Sequence, residues 1–120
     1  MKLNHLDFPV SDVPRAVALF ESLLGFEVRS NRNSDAIVFL DDGHGFTLVL
    51  QKMKTAERYP ENFHFGFLVD DPAQVHAFHE KAREQGIEIG DVVENGRGVL
   101  AYCRLWDGLL MEVSWHRPRE

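Results

Sequence analysis

A segment of nearly half the chain is written twice, and that repeat limits the folds open to these 120 residues more than any other feature. His5-Leu6-Asp7-Phe8-Pro9-Val10-Ser11-Asp12 and His64-Phe65-Gly66-Phe67-Leu68-Val69-Asp70-Asp71 share His, Phe, Val and Asp at an offset of 59 residues. Each run leads into an apolar-periodic segment that stops at a glycine, Gly25 or Gly86, where the offset has become 61. The second helix is therefore expected to be about two residues longer. A short alternating run follows, Phe26-Glu27-Val28 or Ile87-Glu88-Ile89. Further on, 36–43 aligns with 101–108 at an offset of 65, and each Asp-Gly turn opens a last strand, 46–51 or 109–115.

Each half thus reads β-α-β-β-β. Asp12 and Asp71 are helix N-caps, with Pro14 and Pro72 where a missing N–H costs little. Val13, Ala16, Val17, Phe20, Leu23 and Leu24 recur at helical spacing, and Val75, Phe78 and Ala82 form a narrower stripe. The expectation is one α+β domain over 1–120: two tandem β-α-β-β-β modules whose mixed sheets curl into a barrel-like, helix-backed cavity. Module one covers 1–51, a polar linker containing Pro60 covers 52–62, and module two covers 63–115.

Strand alternation then sorts the polar residues. Leu6, Phe8 and Val10 share one face, as do Phe63, Phe65, Phe67 and Val69, and Met111, Val113 and Trp115; these apolar faces should pack on the helices. His5, His64 and Glu112 then project from the helix-free side. Two histidines and a carboxylate on one surface make a facial metal site with positions left open for substrate or water. The cofactor expected is one divalent ion: Fe, Mn, Ni, Co or Zn. On the seventh strand Tyr102 and Arg104 take the cavity side, Tyr102 as acid–base candidate and Arg104 as a clamp for an anion. Asp7 serves substrate or His5, and Gln51 faces the same way.

These residues resemble the vicinal oxygen chelate superfamily, which includes glyoxalase I, type I extradiol dioxygenases, methylmalonyl-CoA epimerase, fosfomycin-modifying thiol transferases and bleomycin-resistance proteins. The marks are Asn4-His5-Leu6 before an Asp-Val-Pro helix start, Leu24-Gly25-Phe26 at its end, His64, and the closing Trp106-Asp107-Gly108-Leu109-Leu110-Met111-Glu112-Val113. The resemblance implies that His5, His64 and Glu112 are the ligands, that the chain forms a homodimer, and that a small oxygenated, anionic molecule is the substrate. The reaction would be of lyase, isomerase or dioxygenase type; the alternative is a metal-free protein binding a drug or aromatic metabolite.

Departures narrow the choice. Glyoxalase I adds a carboxylate from the fourth strand, but Val49 stands where the repeat would place it. The 92–100 segment has neither the lysine nor the serine of the fosfomycin transferases, and the chain is too short for a two-domain dioxygenase. A net charge of −6 excludes nucleic acid or an anionic membrane as the main partner. The single Cys103 forbids an internal disulfide, and no run of roughly 20 apolar residues is present. The location expected is the cytoplasm.

Overall fold

Both cap aspartates act as their positions require. In the computed structural model, which describes residues 1–119, the Asp12 carboxylate accepts from the Arg15 N–H at 3.1 Å and opens helix α1, Val13–Ser22. Asp71 accepts from the Ala73 N–H at 2.8 Å and opens α2, Pro72–Glu84. Gln74 completes a capping box by accepting from the Asp71 N–H, so α2 starts on two reciprocal bonds. Gly25 and Gly86 leave their helices at φ +71° and +74°, a conformation only glycine adopts cheaply. The turn lets the Phe26 N–H reach Phe20 O at 3.0 Å and the Ile87 N–H reach Ala82 O at 2.9 Å.

The strands are β1 His5–Val10, β2 Glu27–Val28, β3 Ile37–Asp41 and β4 Thr47–Lys52 before the midpoint, then β5 His64–Leu68, β6 Val93–Glu94, β7 Gly98–Arg104 and β8 Leu110–His116. They form two mixed four-stranded sheets, ordered β1-β4-β3-β2 and β5-β8-β7-β6. In each, the first strand runs parallel to the last, and the remaining pairs are antiparallel. The β-α-β-β-β reading of both halves holds, and the class is α+β. Barrel closure is not found within either sheet: each is open, with its outermost strands unpaired to one another among the described residues. The chain divides into two compact units, Met1–Glu57 and Arg58 onward.

Register corrects one alignment. Phe39 pairs with Val49 and Tyr102 pairs with Glu112, so the two hairpins superpose at an offset of 63, not 65. Gly45, at φ +86°, is therefore the counterpart of Gly108, at φ +73°; the repeated Asp-Gly dipeptide had suggested Gly43. The shift is two residues, so every side chain keeps its face. The second half also has a broken edge. Ile89 bridges Cys103, as Val28 pairs with Leu40, and the chain then leaves the sheet before β6 returns to β7.

The linker expected over 52–62 is shorter than its polarity suggests. Lys52 still belongs to β4. From Arg58 onward the chain is tied to the second unit: the Tyr59 N–H donates to Asp107 O at 2.9 Å, and the Tyr59 and Phe63 rings stack at 5.3 Å.

Each helix packs on its own sheet, α1 chiefly on β4, β3 and β2, and α2 on β7 and β8. In the first unit Phe8, Leu50 and Val38 form one cross-strand row, all buried, and α1 contributes Val13, Ala16, Val17 and Phe20. In the second, Val75 of α2 packs with Val99 and Ala101 of β7, flanked by Val69, Ile89, Val92 and Trp115. Side chains that would lose several kcal/mol of burial in water thus fix which face of each sheet looks away from its helix.

Candidate metal-ligand face

On the helix-free face of the second unit, one row crosses Gly66 on β5, Glu112 on β8 and Tyr102 on β7. The next row crosses His64, Leu110 and Arg104. His64 and Glu112 therefore sit on neighbouring strands of one face, one pair of residues apart. Tyr102 and Arg104 lie on that same face, as their alternation with the buried Ala101 and Cys103 predicts.

Glu112 is the unusual member. Its residue is only 6% exposed, and a carboxylate so placed costs several kcal/mol unless charge or hydrogen bonds answer it. Arg97 answers it: the guanidinium Nη2 donates to Glu112 Oε1 at 3.0 Å. The other oxygen, Oε2, lies toward Gly66. A Cβ on that glycine would sit 3.5 Å from Oε2 and 3.1 Å from the Glu112 carbonyl oxygen, so glycine keeps the β5 side of the carboxylate open.

His64 is exposed, and its Nδ1 lies 3.0 Å from the Asn62 carbonyl oxygen. A carbonyl only accepts, so the neutral ring carries its proton on Nδ1 and presents an Nε2 lone pair. His5 repeats the arrangement in the first unit, with Nδ1 2.8 Å from Asn4 Oδ1. An imidazole whose Nδ1 is held by an oxygen while Nε2 stays available is the usual form of a metal-binding histidine.

In the first unit the matching row reads Asp7, Val49, Phe39. Val49 is buried and cannot ligate, as the repeat predicts. Asp7 accepts a hydrogen bond from the Gln51 carboxamide, which joins these two candidates into one polar pair. His5 is on the same face, opposite Thr47.

Arg104 Nη1 donates to Gly108 O at 2.9 Å, and the Arg58 guanidinium lies against the same glycine, 3.0 Å from where a Cβ would stand. Neither arginine forms an ion pair among the described residues. Cys103 is fully buried, and burial pushes its thiol up to about 12, which makes it an inert packing residue. His44 sits in the β3–β4 turn, its N–H donating to Asp42 Oδ1 at 2.7 Å. His76 and His79 line the outer side of α2 with Glu80, Arg83 and Glu84.

Within the second unit the donor types suit a divalent ion: an imidazole whose Nδ1 is held by an oxygen, and a carboxylate with one oxygen not bonded to Arg97. Among the described residues, no three His, Cys, Asp or Glu side chains stand gathered as a cluster. Two residues that contact this region escaped the sequence reading, Arg97 against Glu112 and Arg58 against Gly108. Arg97 lies in a Gly-flanked turn, where no periodicity assigns it a face. Its one signal was to be a basic residue shortly before the strand that pairs with Glu112.

Comparison with known proteins agrees with this architecture. A possible glyoxalase from Bacillus cereus is 28% identical, with a TM-score of 0.84 over 95% of this chain and 98% of its own. FosX, the fosfomycin resistance protein of Listeria monocytogenes, in its complex with Mn(II) and sulfate, is 19% identical, with a TM-score of 0.79 over 97% and 90%. Lactoylglutathione lyase from Agrobacterium tumefaciens is 19% identical, with a TM-score of 0.77 over 95% and 92%. No protein of curated function matches the chain significantly. The last two likenesses establish the fold alone. The family model for the Glyoxalase/Bleomycin resistance protein/Dioxygenase superfamily matches residues 2–108, and the chain belongs to that superfamily, the vicinal oxygen chelate group that its opening and closing motifs resemble.

Proposed function

We propose that the protein is a divalent-metal-dependent enzyme acting on a small, oxygenated, anionic molecule, with His5, His64 and Glu112 as ligands. The observation that carries the reading is the pairing, on one face, of a buried carboxylate with a histidine whose Nδ1 is already committed. His5 enters on the repeat and on its matching Nδ1 bond. The Mn(II) complex of FosX supports a metal in this fold. The same proposal includes a homodimer, a cytoplasmic location, one working domain over 1–120, and a curl of the sheets that gives the site its walls.

A bound Fe, Mn, Ni, Co or Zn ion would supply Lewis acidity toward substrate oxygens. The chain's own residues supply the rest. Tyr102, directly across from Glu112, offers a phenol that donates or takes up a proton at its oxygen. Arg104, in the His64 row, and Arg58 beside it offer guanidinium N–H groups with no acidic partner, suited to a carboxylate or another oxyanion. Asp7 and Gln51 form a polar pair that can orient a hydroxyl. The reaction class is lyase, isomerase or dioxygenase. Because Val49 removes the second carboxylate, proton abstraction by a fourth-strand base has no support.

Elemental analysis of untagged protein purified without chelator tests the reading. Near-stoichiometric metal that disappears in the triple variant His5→Ala, His64→Ala, Glu112→Ala is expected. One structural feature favours the second reading, a metal-free protein binding a drug or aromatic metabolite: Glu112 already has a cation in Arg97. No uptake from Fe(II), Mn(II), Ni(II), Co(II) or Zn(II) would replace the first reading with that one.

A further inference from the structure

The backbone at Arg97 is held by several hydrogen bonds. The Asn95 side chain accepts from both the Arg97 N–H, at 2.9 Å, and the Gly98 N–H, at 3.2 Å. The Arg117 N–H donates to Arg97 O at 2.9 Å. Gly98 then passes so close to β8 that a Cβ would sit 1.9 Å from the Trp115 carbonyl oxygen, so only glycine can follow Arg97. From this fixed base the guanidinium reaches Glu112.

The two partners are unequally placed. The Arg97 side chain is 52% exposed and the Glu112 side chain 8%. The arginine can therefore withdraw into water at little cost, whereas the carboxylate stays buried and needs a positive partner. With Arg97 in place, the carboxylate–guanidinium pair is neutral, and an arriving cation meets less negative charge than Glu112 alone would present.

We infer that Arg97 is a resident counter-cation that competes with metal for Glu112, sustaining the buried carboxylate when no metal is bound and weakening metal binding. This rests on the ligand role proposed above for Glu112, and Arg97 acts through that residue. The competition has an effect that a merely structural arginine would not have: removing the guanidinium lowers stability and raises metal affinity together.

The experiment is a titration of the full chain with Co(II) alone, alongside thermal unfolding without metal, for the wild type, Arg97→Met, Arg97→Lys and Glu112→Gln. Arg97→Met is expected to unfold at lower temperature without metal, yet to bind Co(II) about tenfold more tightly. Arg97→Lys, which keeps the charge but loses the fork geometry, should restore most of the stability and bind with intermediate affinity. If Arg97→Met fails to fold, Arg97→Lys decides the matter, with roughly threefold tighter binding expected. Affinity that is unchanged or weaker in the folded Arg97 variants overturns the competition. Unchanged Co(II) affinity in Glu112→Gln instead removes Glu112 from the ligand set and overturns the reading beneath it.

Discussion

On the helix-free face of the first half the central row runs Asp7, Val49, Phe39; in the second half the same row runs Gly66, Glu112, Tyr102. The carboxylate has changed strands. In the first half it stands on edge strand β1, exposed, with Gln51 as its partner. In the second it stands on central strand β8, buried, with Arg97 as its partner and a glycine on the edge. One backbone accepts both patterns because alternation fixes only which face a residue takes. What a buried charge further requires is a cation, and among the described residues only the second half provides one at this row.

Exchanging the two central residues gives the largest expected effect. Val49→Glu would bury a carboxylate at a position 7% exposed, and should cost about 3 kcal/mol. Glu112→Val should change stability by less than about 1 kcal/mol, because the pair is replaced by apolar packing and Arg97 is half in water. Denaturant unfolding of both variants measures the asymmetry. Equal losses would show that the two rows are equivalent environments, and the contrast drawn between the halves would fail.

Much of this contrast was legible in the sequence. The matched His, Phe, Val and Asp residues, the caps and the terminal glycines specify local geometry, so both helices and the faces of β1, β5 and β8 could be read directly. Val49 could likewise be named as the counterpart of Glu112. Only the strand before each turn was offset wrongly, because two Asp-Gly dipeptides look alike, whereas pairing between strands sets the register. Arg97 was invisible because a turn residue has no period, and its direction depends on Asn95 and on the close passage at Gly98. The tie between Tyr59 and Asp107 was hidden for a similar reason: it joins backbone to backbone, and no side chain advertises it.

The helix starts offer a smaller test. Asp12 makes one capping bond, whereas Asp71 belongs to a reciprocal box with Gln74. Each Asp→Ala change should cost about 1 kcal/mol, with Asp71→Ala the more damaging. Adding Gln74→Ala to both should remove most of the difference. A greater loss at Asp12 would mean that packing of α1, not its cap, governs where the first helix begins.

One further effect vanishes at neutral pH. At the hairpin offset of 63, Cys103 is the counterpart of Leu40, and both are fully buried. Burial raises the Cys103 thiol from its ordinary value of 9.0 to about 12. Below pH 9 the thiol is protonated whether the chain is folded or not, so it adds no pH dependence. Above that, the unfolded chain releases the proton and the folded chain retains it, so stability should fall between about pH 9 and 12. Cys103→Val removes the ionisable group while keeping the site apolar. The quantity to measure is the difference in alkaline slope between wild type and variant, since other groups titrate in the same window. A shallower slope in the variant is expected, and parallel slopes would mean that the thiol is as free to ionise in the folded protein as in the unfolded one.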